Sequence, residues 1–168
     1  ILSKNTYLGK PILNQPTLFT GNGKILFEGN IKIGYFPSPF YFNGSSYIEA
    51  RNKNSKISFG DNVHLNNNFT VISEESVTIG NNILIGTNVE IYDSDFHPID
   101  VNRLGNKSYK KAPITIKDNV WIGSNVKILK GVTIGENSVI ANSSIVVKDI
   151  PPNVVAAGIP AKTIKQIK

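Results

Sequence analysis

The sequence contains no cysteine, which excludes a disulfide framework, a thiolate nucleophile and cysteine-ligated zinc. Long apolar runs are also missing. None approaches the roughly 20 residues of a membrane-spanning helix, and no charged-then-apolar leader opens the chain, so no membrane span is expected. Basic residues do not interleave with aromatics in the manner of RNA-binding surfaces, so nucleic-acid binding would rest on charge alone. The net charge of +6 and pI near 9.5 suit a polyanionic partner, and a phosphorylated cofactor serves as well as nucleic acid. What is present, in 168 residues with 40% hydrophobic side chains, predicts one soluble domain over 1–168, with cytoplasmic residence as the default.

The organising signal is a period of six. Aliphatic residues recur at Ile116, Ile122, Ile128, Ile134, Ile140 and Val146, and upstream the same phase runs through Ile79, Ile85 and Ile91. A weaker stretch passes through Phe59, Leu65 and Val71, and Ile25, Ile31 and Ile33 suggest still earlier coils. Glycine tends to follow the aliphatic position, with Asn or Asp two or three residues later. A helix needs apolar spacings of three and four, and a hairpin sheet needs alternation broken by irregular turns. A strict six instead predicts one short strand and one turn per repeat, three per coil, each sending an aliphatic side chain into a triangular core. The fold class is therefore all-β, a parallel solenoid.

Departures from the period are expected to leave the coil as loops. The phase slips by two residues between Val71 and Ile79. Between Ile91 and Ile116 the spacing is 25, one more than four repeats, and the expected core positions carry His97, Arg103 and Tyr109. The segment from about 93 to 113 is thus a projecting loop. Pro37, Pro39 and the aromatics around them predict a second, bulged loop, and from about 151 to 168 the chain is expected to leave the repeat as a short basic tail.

The projecting loop carries DSDFHP. An imidazole titrating near pH 6.5 can accept a hydroxyl proton at neutral pH, and a carboxylate on its other nitrogen would fix the tautomer. His97 is the candidate base, with Asp93 and Asp95 as candidate partners. His64 has no comparable setting and is expected to be structural or exposed. Ser94 lies close by, but no GxSxG elbow surrounds it.

These repeats, the His97–Pro98 pair, the VWIGS segment and the closing AGIPAK segment together resemble the hexapeptide-repeat acyltransferases. From about Asn66 to Ile167 the chain is similar to the galactoside, maltose and surface-polysaccharide O-acetyltransferases of that family. The resemblance implies a left-handed parallel β-helix, acetyl-CoA as co-substrate with no metal, a sugar or glycan acceptor, and direct transfer with His97 as general base. It also implies a homotrimer with each site between two subunits. On the acceptor side it implies Asn66 and Glu74, although Glu74 replaces the usual Asp. On the cofactor side it implies Trp121, Ser124, Asn142, Val147, Lys148, Lys162 and Lys165.

Two other readings use the same chain. N-acetylation of an amino sugar would need the same base and cofactor, whereas the pairing of Asn66 with Glu74 favours a hydroxyl acceptor. A purely structural solenoid would show flat threonine arrays and no projecting histidine loop. A left-handed solenoid with the three zinc-binding histidines of the γ-class carbonic anhydrases is excluded, because this chain has two.

Overall fold

The computed structural model describes residues 7–98 and 109–167, and among them every helical or extended element is a strand. No helix among these residues is long and apolar enough to cross a membrane. Three sheets form the walls of a triangular coil. The first wall stacks Tyr7–Leu8, Lys24–Phe27, Lys56–Phe59, Ser76–Ile79, Ile114–Ile116 and Thr133–Ile134. The second stacks Ile12–Leu13, Ile31–Ile33, Val63–Leu65, Ile83–Ile85, Trp121–Ile122, Val139–Ile140, Val154–Gly158 and Ala161–Gln166. The third stacks Thr17–Gly21, Ser46–Ala50, Thr70–Ser73, Glu90–Tyr92, Lys127–Leu129 and Ile145–Val146.

Pairing runs coil upon coil, so each inward side chain lies over its counterpart: Val77 on Ile57, Ile83 on Val63, Ile128 on Ile91. The side-chain period of two then sends alternate residues inward, and these are fully buried. Each such Val, Ile or Phe contributes about 1.5–3 kcal/mol of burial.

Asparagine makes the corners. Asn62, Asn82, Asn119, Asn137 and Asn153 sit between the first and second walls at φ of 54–59°, a left-handed conformation that asparagine tolerates better than other side-chain-bearing residues. Their side chains form a column, each amide donating to the next at 2.9–3.1 Å. A second column, Asn68 to Asn88 to Asn125, runs between the second and third walls.

The N-terminal third is more regular than its sequence. Phe19, Phe27, Phe59 and Phe69 are buried there, with the Phe27 and Phe59 rings stacked at 4.9 Å and Phe69 edge-on to Phe59. Aromatic volume replaces the aliphatic signature while the coil continues. The C-terminal segment also departs from expectation. Instead of leaving the repeat at once, it adds Val154–Gly158 in parallel to Val139–Ile140, burying Val154 and Ala156. It then doubles back antiparallel through Ala161–Gln166, so Lys162 and Lys165 lie on the closing strand rather than on a free tail.

Candidate active site

Between the third and first walls, Asp93 leaves the coil. Its carboxylate is fully buried and accepts hydrogen bonds from Ser73 Oγ (2.7 Å), Glu74 N (2.7 Å) and Glu75 N (2.9 Å). The two-residue slip after Val71 provides these donors. Asp93 is thereby committed to the corner below, and the structure does not make it a partner of the imidazole.

The loop leaves and returns as an antiparallel neck. Ala112 N donates to Asp93 O, Asp95 N to Lys110 O, and Ser94 bridges Lys111. Residues 99–108, Arg103 among them, lie outside the described residues. Asp95 receives Lys130 Nζ at 2.5 Å through Oδ1, and its Oδ2 is buried without a partner among the described residues. His97 N donates to the Asp95 carbonyl at 2.7 Å, and the His97 side chain is exposed at the tip of this ordered stretch.

Phe96, next to His97 in the chain, is itself fixed by several contacts. Its φ of 60° is unusual for a bulky residue and is over-determined by its surroundings. Its amide donates to Ser94 Oγ at 2.9 Å, the Arg51 guanidinium lies 4.7 Å over its ring, and Tyr92 packs edge-on. Arg51 is itself held by Glu49 through two hydrogen bonds, which raise its pKa above the ordinary value despite burial.

Glu74 faces this neck. It is 5% exposed, accepts Ser94 Oγ at 3.1 Å, and lies 3.6 Å from Arg51 Nη1. Tyr109 OH also bonds to it, and that bond, with burial, raises the tyrosine pKa. The Glu74 carboxylate, expected on the acceptor side, is thus engaged on several sides by residues of the loop and of the preceding coil.

The remaining candidates sit elsewhere. Asn66, Ser124 and Asn142 occupy the corner between the second and third walls, and Trp121 projects from the second wall, 54% exposed. Asn66 Oδ1 accepts the Asn67 amide at 2.8 Å. Ser124 Oγ accepts Thr87 N, and Asn142 Oδ1 in turn accepts Ser124 N at 2.9 Å. A Cβ at Gly123 would meet Asn142 Oδ1 at 2.3 Å, so glycine there admits the capping side chain. Val147 and Lys148 are exposed at the corner that also bears the loop, two coils farther along.

The candidate residues therefore lie at two separate corners of the chain. The strand Thr70–Ser73, about 13 Å long at 3.3 Å per residue, stands between Asn66 and Glu74. Beside Asn66 the second wall is hollowed into a groove of about 390 Å³, lined among others by Lys32, Tyr35, His64, Leu84 and Trp121. Sequence reasoning left His64 without a place; it is half-buried on this groove, with its ring Nε2 3.2 Å from Asn62 Oδ1.

A triangular parallel coil with a histidine-bearing loop at one corner defines a transferase class built on six-residue repeats. Residues 113–148 match the family described as bacterial transferase hexapeptide (six repeats). Galactoside O-acetyltransferase of Escherichia coli K12 is 49% identical over 116 residues, 66% of this chain and 57% of the relative. A galactoside acetyltransferase solved in complex with coenzyme A is 41% identical, covering 84% of this chain and 64% of that one, with a TM-score of 0.65. A maltose O-acetyltransferase from Clostridium difficile 630 is 31% identical, covering 94% and 71%, with a TM-score of 0.59. The chain belongs to the hexapeptide-repeat acyltransferase family, and its coil is the left-handed parallel β-helix. It spans 57% of the length of the Escherichia coli relative and of a similar yeast protein.

Proposed function

We propose that the protein is an acetyl-CoA-dependent O-acetyltransferase acting on a sugar hydroxyl in surface-polysaccharide biosynthesis, in the cytoplasm. His97 accepts the proton as the acceptor oxygen attacks the thioester carbonyl. The new C–O bond forms, the C–S bond breaks, and the proton passes to the departing thiolate. Asn66 orients the acceptor. Trp121, Ser124 and Asn142 line the path of the pantetheine arm. Val147 and Lys148 flank it, and the ammonium groups of Lys162 and Lys165 face the phosphates.

The observation that carries this reading is the division of the site. His97 projects from one corner while Asn66, Trp121 and Ser124 lie at the next, so a second copy around a threefold axis would bring the two halves together. The test is thiol release from acetyl-CoA with a panel of sugars. His97→Ala should lose nearly all turnover, at least about 100-fold, and turnover at the parent rate would refute the mechanism. Co-expressed His97→Ala and Asn66→Ala chains should regain activity that neither shows alone; no recovery would place both halves in one chain. A clear preference for amino sugars acetylated at nitrogen would overturn the O-acetyl reading.

A further inference from the structure

The Lys32 and Tyr35 end of the groove on the second wall has chemistry that acetyl transfer does not require. Its outward column runs Lys32, His64, Leu84, Trp121, one residue per coil. Tyr35 and Trp121 border it, 59% and 54% exposed. Its lining includes no carboxylate, and Lys32 has no anionic partner among the described residues. From Trp121 to Lys32 it extends three coils, about 14 Å, toward the N-terminal end. At its C-terminal end Trp121, and Gly86 packed against Ser124, border the path assigned to the cofactor; from there the groove passes Asn66 and runs on to Lys32 at its far end.

Its rim is firmly built. Asn67 is fully buried and ties Tyr35 through both its backbone groups, also donating to the carbonyl of Pro39. Gln15 Nε2 donates to Phe40 O, while Gln15 Oε1 accepts Asn68 N. The bulged loop therefore presents Tyr35 from a fixed base, beside the candidate acceptor residue.

We propose that this groove binds the acceptor through an anionic sugar unit bearing a carboxylate. Lys32 meets the carboxylate, and the C–H face of a sugar ring lies against Tyr35. The negative face of an aromatic ring attracts weakly positive C–H groups, and an ammonium–carboxylate hydrogen bond is charge-assisted. A single lysine, with no arginine in the lining, matches a monoanion better than a phosphate, which is commonly gripped by several donors. The volume lies in the range of ligand pockets and exceeds what one contact point would need. The inference deepens the sugar-acceptor reading and rests on it.

The test uses disaccharides matched in pairs, one neutral and one with a uronic acid as the unit that is not acetylated, together with a sugar phosphate. Thiol release should favour the uronic-acid member by about tenfold in kcat/KM, the scale of one charge-assisted hydrogen bond. The preference should shrink as salt is added. Lys32→Gln should bring the ratio close to one, whereas Lys24→Gln, exposed on the first wall, should leave it in place. Equal use of the two members, a ratio that survives Lys32→Gln, a stronger preference for the phosphate, or a change in the KM for acetyl-CoA alone would overturn the inference. If no sugar releases thiol, the transfer reading fails separately. Saturation-transfer NMR then decides the groove: uronic-acid binding lost in Lys32→Gln supports it, and unchanged or absent binding refutes it.

Discussion

Replacing Asp93 by Asn would test whether this carboxylate builds the loop neck or serves the imidazole. The native side chain is enclosed and accepts three hydrogen bonds, from Ser73 Oγ, Glu74 N and Glu75 N, all within 2.9 Å. An amide has the same shape, but its NH2 would face one of these donors, and the other oxygen loses its charge. Hydrogen bonds to a charged group contribute about 1.5–3 kcal/mol each, and loss within a shared cluster is less than additive. A destabilisation of about 4 kcal/mol is expected. At about 2–4 °C per kcal/mol for a chain of this length, Tm should fall by about 8–16 °C. The melt should be followed by circular dichroism at one fixed protein concentration, because assembly adds to apparent stability. Well below the new Tm, acetyl transfer should retain most of the parent kcat. A Tm within about 2 °C of the parent, together with loss of activity, would show that Asp93 acts on His97 and that the burial argument is wrong.

Arg51→Lys keeps the charge but loses the planar contact with Phe96 and the two-point bond to Glu49. It should lower kcat several-fold with little change in the acceptor KM, measured by steady-state thiol release. Asn82→Ala should destabilise the coil by about 1–2 kcal/mol in urea melts, because alanine is strained at φ 56°. Asn82→Gly, free of that strain, should cost less even though it breaks the same amide column. Glu90 gives a pH signature. Burial pushes its pKa up, but hydrogen bonds from Lys127 and Tyr92, with the lysine charge, outweigh this and hold it below the ordinary value. A lowered folded-state value stabilises above the ordinary carboxylate range, and the benefit fades as pH falls through the folded value. The Tm gap between the parent and Glu90→Gln should be widest near neutrality and close as pH falls through the lowered folded-state value; a gap that widens in acid would contradict the assignment.

Much of the scaffold was legible because one physical rule repeats. Ile116, Ile122, Ile128, Ile134 and Ile140 are all buried at the positions that the six-residue period assigns. The early coils were obscure because Phe19, Phe27 and Phe59 fill the core by ring stacking, and no hexapeptide count registers a change of side-chain volume. At the site, the break in the period located the loop but could not say how its acidic residues divide their work. Asp93, Asp95 and Glu74 differ in which donors the neighbouring coils supply, and those donors lie about 20 positions away for Asp93 and Glu74 and 35 for Asp95. The groove depends on neighbours in the stack, since Lys32 and His64 become adjacent only through pairing across 32 residues.

The two amide columns also bear on how such a protein can change length. At the corner between the first and second walls, where the column runs from Asn62 to Asn153, the chain carries no insertion. The other column begins at Asn68, one coil after the aromatic loop that interrupts its corner. The corner bearing His97 has no such column among the described residues. A coil can be duplicated or removed and the asparagines will rejoin, each to whichever neighbour then lies above it. A loop can be lengthened only where no column must be severed. The scaffold thus separates its freedom to grow along the axis from its freedom to elaborate at one edge, and the histidine stands on the edge left free.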